Sequence, residues 1–379
     1  MAPTNDGRLR WRLVEDDALD GQGALFDGDQ LVERNIGTGE FRGMEFLHVN
    51  ARTIINEVPA ASRMPFRHTI NVYRGCSHAC TYCFARPTHE YLGLDIGEDF
   101  ERKIVVKVNA VERLRAELAG RRWAGHHIAM GTNTDPYQRC EGKYHLTRGV
   151  VEALSEAANP FSILTKSTLI LRDLDLLAAA ATRTEVRANL SIGTLDPEVW
   201  KLTEPGTPHP ARRVEAVRRL NDAGVACGVL IAPILPGLSD SDDQLREVVG
   251  ACVDAGAVSI SAVVLHLRPG VREHFLADLA RSRPELAEEY ARRYQGANLP
   301  SPDRRDIEAR VRAMVNRARG ASVVASGSYD IGASPPPALV PGASPSSPAA
   351  VPGASAAAVV ATPVPADQLA LDLSVSANS

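Results

Sequence analysis

The sequence predicts an α/β fold: a partial (β/α)6 barrel of the TIM type, built on parallel strands. Between residues 68 and 265, six β-branched or apolar runs alternate with segments of helical periodicity, the traffic that builds a parallel sheet. The run at 225–234 is apolar almost throughout, which implies a strand buried on both faces. No Gly-x-Gly-x-x-Gly turn follows any of these runs, so an open barrel fits better than a doubly wound nucleotide-binding sheet.

Taken in order, residues 1–45 are polar and Gly/Asp-rich, with a turn at Asp27-Gly28-Asp29, and are expected to be loose. Phe46, Leu47, Val49, Ile54, Ile55 and Val58 then suggest one or two extended segments leading into the core. The run 68–74 is the first core strand, stopped by Gly75. A short strand at 104–108 and a helix at 110–119 follow, the helix with Val111, Leu114 and Leu118 on one face. The second core strand is 127–131, and a helix over 147–158 takes Thr147 as its N-cap. Strand three at 161–167, a helix at 173–181 and strand four at 185–192 continue the alternation. A helix over 210–223 is stopped by Gly224 before strand five. Ser239-Asp240-Ser241-Asp242 caps the next helix, which runs to about residue 255, and strand six covers 258–265.

Beyond the barrel, 272–319 is expected to be helical. Its last helix places Ile307, Val311, Met314, Val315 and Ala318 on one stripe. Arg310, Arg312, Arg317 and Arg319 lie elsewhere on that helix, as a solvated basic face. Residues 331–366 are Pro, Ala, Ser and Gly with an imperfect Pro-Gly-Ala-Ser repeat, too poor in burial to offset chain entropy and expected to be disordered. The expected divisions are a 1–62 extension, a 63–270 core domain, a 271–320 helical extension and a 321–379 tail.

Composition narrows the class of function. The net charge of −4 over 379 residues supplies no global basic field for nucleic acid, so any such contact must be local. Six cysteines are too sparse for a disulfide scaffold, which points to a reducing, cytoplasmic compartment. The N-terminus shows no apolar signal core, and no run approaches the ~20 apolar residues of a membrane span.

The chemistry is concentrated in the run from Gly75 to Pro87, where Cys76, Cys80 and Cys83 stand at C-x3-C-x2-C spacing with Tyr82 just before the third. Soft thiolates at this pitch select zinc, copper(I) or an iron–sulfur cluster. A cubane normally takes four cysteines, so three would leave one iron open to a non-protein ligand. The alternatives are three unrelated buried cysteines, or a zinc site completed by His78 or His89. Zinc sites usually show paired C-x2-C elements, and this chain has no second pair.

Cys76, Cys80, Tyr82 and Cys83 resemble the signature of the radical S-adenosylmethionine (radical SAM) superfamily. The resemblance implies a [4Fe–4S] cluster on the three cysteines, with SAM chelating the fourth iron and Tyr82 near the adenine. It implies a partial barrel with its site at the C-terminal strand ends, and a reductant such as flavodoxin or ferredoxin. The implied reaction is reductive cleavage of SAM to a 5′-deoxyadenosyl radical that takes a hydrogen atom from a substrate.

Further stretches resemble the spore-photoproduct-lyase-like branch: Thr134-Asp135, Leu164-Thr165-Lys166, Leu190-Ser191-Ile192, and Glu204-Pro205-Gly206-Thr207 with Arg213-Val214-Glu215-Ala216. That branch implies SAM contacts by Thr134, Lys166 and Ser191. A lysine suits the role, since it pairs with a carboxylate and needs a partner in an apolar run. Glu204 with Arg212 or Arg213 would order the site rim or form a surface pair. The lyase is expected to carry a hydrogen-donating cysteine at the end of strand two, where this chain has Thr132, which argues against thymine-dimer splitting. Cys140 is the candidate catalytic thiol, or else a small buried hydrophobe.

Two peptides, Gln22-Gly23-Ala24-Leu25-Phe26 and Gln368-Leu369-Ala370-Leu371-Asp372-Leu373, resemble those that dock on bacterial DNA sliding clamps. The expected function is thus a radical SAM enzyme whose substrate is unidentified, with nucleic acid or its components as one candidate class. The alternative is a non-catalytic iron–sulfur or zinc protein that docks on partners through its tails.

Overall fold

The computed structural model describes residues 30–320 apart from 60, 61 and 63. The tail expected to be disordered and both clamp-like peptides lie outside the described residues. The strands are β1 (Gln30–Ile36), β2 (Glu45–Asn50), β3 (Ile55–Glu57), β4 (His68–Ile70), β5 (Tyr73–Arg74), β6 (Lys103–Lys107), β7 (Ile128–Met130), β8 (Phe161–Thr165), β9 (Val186–Ser191), β10 (Ala226–Ile234) and β11 (Ile260–Val264).

The main sheet has seven strands in the order β11-β10-β9-β8-β7-β4-β3. From β4 to β11 every pairing is parallel and the strands follow chain order, while β3 adds antiparallel at one edge. Sequential parallel order with helical crossovers is compatible with an open barrel; a doubly wound sheet reverses direction at a switch point. The crossover helices are Ala110–Leu118, Leu146–Glu156, Leu174–Ala181, Pro210–Asp222 and Asp242–Asp254. Val229 and Ile231 on β10 are wholly buried, as the near-continuous apolar run at 225–234 predicts, and so are Leu190 on β9 and Ile128 on β7. Each such side chain contributes about 1.5–3 kcal/mol on burial.

Three further helices follow β11: Val271–Ala280, Pro284–Arg293 and Ser301–Arg319. The last buries Ile307, Val311, Met314 and Val315, most of the predicted stripe, against the Asp242–Asp254 helix and β11. Among the described residues no helix is long and apolar enough to cross a membrane.

The structure corrects three local expectations. The 30–36 stretch is not loose but forms β1, paired antiparallel with β2. The single strand at 68–74 divides: β4 lies in the main sheet and β5 in a smaller one of order β1-β2-β6-β5. The expected short strand at 104–108 forms, as β6 of that side sheet. Thr147 is not an N-cap: His145, at φ 53°, caps the helix, and the Thr147 hydroxyl donates to Pro136 O at 2.5 Å.

The division at Asn71 has a local cause. Its side chain donates to Thr132 Oγ1 at 3.1 Å and accepts from Asn133 N at 3.2 Å, across the end of β7. Just beyond it, Val72 O accepts from Lys107 N at 3.0 Å, which draws the chain toward β6. The cysteine run therefore begins where the chain steps off the sheet at its C-terminal edge.

Candidate functional site

Gly75 starts the cysteine loop with φ 78°, and a Cβ there would come within 2.9 Å of both His89 Cε1 and Phe100 O. Only glycine meets both demands. Three tight turns follow, each beginning on a cysteine carbonyl. Cys76 O accepts from Ala79 N, Cys80 O from Cys83 N, and Cys83 O from Arg86 N, all at 3.2 Å. These turns satisfy the three cysteine carbonyls within the loop, while Cys76 N reaches out to Phe100 O at 2.9 Å.

Arg86 bolts the downstream end. Its guanidinium is wholly buried, donates to Cys80 O at 3.0 Å and Ile96 O at 2.8 Å, pairs with Glu101 at 2.5 Å and lies over the Phe100 ring. Upstream, Ser77 N donates to Gln138 Oε1 at 2.9 Å. From the β9 side, Gly206 N donates to His78 O and Thr203 O accepts from Thr81 N, both at 3.0 Å.

Cys76 and Cys80 are buried and Cys83 is half-buried. Burial pushes all three thiols up, Cys80 to about 12. Three such thiols become thiolates only with compensating positive charge, and soft donors select a soft metal centre. Among the described residues no three His, Cys, Asp or Glu side chains gather as a site for one metal ion. A cubane spreads its thiolate ligands over separate irons, so this spacing bears on a single-ion site and not on a cluster. The histidines considered for zinc have other partners: His78 Nδ1 faces Asp135 at 3.3 Å, and His89 Nε2 is 3.0 Å from Lys103 O.

The strand ends supply the other half of the site. Beyond β7, the Thr134 hydroxyl donates to Gly75 O at 2.6 Å and accepts from Gln138 Nε2 at 3.0 Å. After β8, Lys166 Nζ donates to Ser191 Oγ at 2.8 Å and lies 5.7 Å from the centre of the Tyr82 ring. Ser191, the last residue of β9, donates to Ala232 O on β10 at 2.8 Å. Thus Lys166, Ser191 and Tyr82 stand together, and Thr134 is joined to them through the loop.

Asp135 is the hub beneath. Its carboxylate accepts from Thr165 Oγ1 at 2.6 Å, Lys166 N at 2.7 Å and Tyr137 N at 2.9 Å, besides facing His78. Burial alone would raise its affinity for a proton. The His78 charge and these hydrogen bonds outweigh that and hold the carboxyl below its usual range.

Sequence reasoning missed Gln138 altogether and left Glu204 unresolved between a rim pair and a surface pair. The structure corrects the surface reading. Arg213 is 0% exposed and meets Glu204 Oε2 at 2.5 Å, while Arg212 is exposed. The Tyr82 hydroxyl donates to the other Glu204 oxygen. Burial pushes the Glu204 carboxyl up, but Arg213 and Lys166 outweigh it and hold the group ionised. The one available signal was Glu204 preceding Pro205-Gly206 at the exit of a helix; its depth was not written in the residues.

Cys140 is wholly buried, and burial with the Glu141 charge pushes its thiol well up, opposite to what a reactive thiol needs. Cys227 and Cys252 are also wholly buried. Thr132 is held by Asn71 at the β7 end.

Comparison with known proteins agrees with this arrangement. The radical SAM superfamily model matches residues 70–249. The uncharacterized protein Rv2578c of Mycobacterium tuberculosis (strain ATCC 25618 / H37Rv) is 44% identical over 287 residues, 76% of this chain and 84% of that one. The uncharacterized protein MJ0683 of Methanocaldococcus jannaschii is 30% identical over 207 residues, 54% of this chain and 73% of the other. A spore photoproduct lyase variant solved with AdoMet and dinucleoside spore photoproduct superposes with a TM-score of 0.53 at 17% identity, over 72% of this chain and 79% of that one. The likeness to that structure is one of fold. The chain belongs to the radical SAM superfamily, whose members are enzymes that use SAM with an iron–sulfur cluster.

Proposed function

We propose that this protein is a radical SAM enzyme in which Cys76, Cys80 and Cys83 hold a [4Fe–4S] cluster, and Tyr82, Thr134, Lys166 and Ser191 bind SAM. The observation that carries the reading is the convergence of three strand ends on one cysteine loop. Lys166 and Ser191 are 2.8 Å apart beside Tyr82, and Thr134 bonds the carbonyl of the residue before Cys76. The donor set fits the group: two buried thiols and one half-buried thiol on consecutive turns, their carbonyls already satisfied, with soft-donor chemistry.

Held by Cys76, Cys80 and Cys83, a [4Fe–4S] cluster would supply one-electron reductive chemistry toward the sulfonium of bound SAM. The protein binds, orients and excludes water. Lys166 offers an ammonium to the methionine carboxylate, a charge-assisted contact worth about twice a neutral hydrogen bond. Ser191 steadies that ammonium, and Thr134 fixes Gly75 so that the loop keeps its turn. The apolar faces of β8, β9 and β10 keep the interior dry.

Nucleic acid or its components are the proposed substrate class, a dinucleoside being the ligand of a fold neighbour. Outside the cysteine loop no solvent-facing thiol stands at the strand ends to return a hydrogen atom, since Cys140, Cys227 and Cys252 are all buried. This supports a reaction other than thymine-dimer splitting.

The test is anaerobic reconstitution with iron and sulfide, reduction by dithionite, and assay for 5′-deoxyadenosine from SAM. The wild-type chain yields it and Cys83→Ala does not. A colourless protein carrying one zinc ion, or a loaded protein that never cleaves SAM even with cell extract present, overturns the reading.

A further inference from the structure

Glu204 follows the Pro197–Thr203 helix and touches the site from below. One of its oxygens accepts from the Tyr82 hydroxyl and the other meets Arg213 at 2.5 Å. Lys166 Nζ stands 3.9 Å from the Tyr82-side oxygen. A tight ammonium–carboxylate bond runs at about 2.7–2.9 Å, so Lys166 is tethered by Glu204 and not captured. Its short bond goes to Ser191 Oγ instead, at 2.8 Å.

Arg213 explains why the capture does not happen. Its guanidinium also donates to Ser191 O at 3.0 Å, Pro208 O at 2.9 Å and Thr207 Oγ1 at 2.5 Å, so it has no freedom to swing away. Thr207 is itself held by Trp200 Nε1 at 2.8 Å. Arg213 therefore cancels the Glu204 charge permanently. Arg213, Glu204 and Lys166 together keep a surplus of one positive charge, carried by the ammonium that is still partly exposed. Without Arg213, a bare buried carboxylate would draw Lys166 into a closed ion pair and occupy it.

We propose that Glu204 is the positioning residue of this site, locking the Tyr82 ring and tethering Lys166 for the methionine end of SAM, with Arg213 neutralising it so that Lys166 remains open to a carboxylate. The proposal rests on the SAM site described above and deepens it. It separates two roles that a single buried glutamate otherwise confuses: filling space, which glutamine also does, and accepting two hydrogen bonds from opposite sides, which glutamine does not. A Glu204→Gln amide has one acceptor oxygen; turned to Arg213, it makes the Tyr82 hydroxyl accept from the amide N–H instead of donating, and it removes the carboxylate charge that tethers Lys166.

The experiment uses the full chain with its cluster reconstituted. Iron and sulfide content, SAM affinity by equilibrium dialysis, and the SAM-induced change in the electron paramagnetic resonance of the reduced cluster are measured. In Glu204→Gln, cluster loading stays at the wild-type level, the Kd for SAM rises about tenfold, which is about 1.4 kcal/mol, and the spectral change is diminished. Glu204→Asp recovers part of the affinity. Arg213→Gln binds SAM more weakly than the Glu204→Gln/Arg213→Gln double variant, because removing the bare carboxylate frees Lys166; a purely structural role would make the losses add.

Wild-type Kd and an unchanged spectral response in Glu204→Gln overturn the proposal. If Glu204→Gln fails to fold or load, Tyr82→Phe decides: a Kd raised about threefold or more supports the lock, and wild-type affinity refutes it. A wild-type chain that loads its cluster but binds no SAM refutes the underlying site assignment instead.

Discussion

Gly206 is the point where the strap from β9 lies directly against the cysteine loop, and replacing it with alanine isolates that contact. An alanine Cβ would meet Ser77 O at 2.2 Å, and His78 C and O at 2.8 Å. All three atoms are backbone, so no side chain can turn aside. The glycine φ is not in the left-handed region, which leaves space as the only obstacle. To restore ordinary contact at 3.4 Å, loop and strap must separate by about 1.2 Å. That separation also breaks the Gly206 N to His78 O bond of 3.0 Å. Overpacking of this kind costs about 1–3 kcal/mol in stability. The larger effect is on geometry, since a displacement of about 1 Å at a reacting centre costs on the order of 100-fold in rate. Gly206→Ala should therefore fold, load less iron per chain than wild type, and form 5′-deoxyadenosine at about 1% of the wild-type rate. Gly250→Ala serves as the control: it lies within the Asp242–Asp254 helix, where an added methyl group would have nothing within 4 Å. That variant should gain about 0.5–1 kcal/mol with full activity. Wild-type iron content and turnover in Gly206→Ala would show that the strap does not set the loop, and would refute the reasoning.

Acid stability tests the ring behind the loop. Burial pulls His89 down from its ordinary value of 6.5 to about 4. Between those values the unfolded chain binds a proton that the folded chain refuses, so stability is full above pH 6.5 and falls as the pH drops toward 4. His89's share of the loss is at most about 3 kcal/mol, read as a falling urea midpoint of the metal-free protein; burial pulls His274 down to about 4 as well, so in His89→Gln the slope should become shallower, and an unchanged slope would remove His89 as a cause. The C-terminal peptide Gln368–Leu373 is proposed to dock on a sliding clamp. Deleting residues 367–379 should abolish co-purification with the clamp while leaving iron content unchanged, and an undiminished pulldown would end that idea.

What could be seen in the sequence follows from how local each signal is. The cysteine spacing, the tyrosine before the third cysteine and the alternation of strand and helix are all carried by neighbours in the chain. The loop and the order of the parallel strands were therefore legible. Strand β1 was not, because it is an edge: Leu31 is buried, but Val32 is 44% exposed and Arg34 finds its partner in Glu45 of the neighbouring strand, so its composition looks like a loop. The break at Asn71 was not legible either. Periodicity identifies strand-like residues but not the sheet that claims them, and here the decision rests with Thr132 and Lys107, far along the chain.

Glu204 and Arg213 carry the same lesson into the site. An acid and an arginine nine positions apart look like any surface pair, and only the fold buries them beneath Tyr82 and Lys166. Burial changes their meaning. On a surface the pair would contribute about 0–1 kcal/mol, and either residue could be lost at little cost. Beneath the cysteine loop, removing one partner leaves an uncompensated charge, a loss of about 3–5 kcal/mol. The residues proposed to touch the ligand are legible because their chemistry is particular; those that aim them are ordinary in type and particular only in depth. The aiming network is thus the part of this protein that structure adds, and the part where substitution should separate cluster loading from SAM binding.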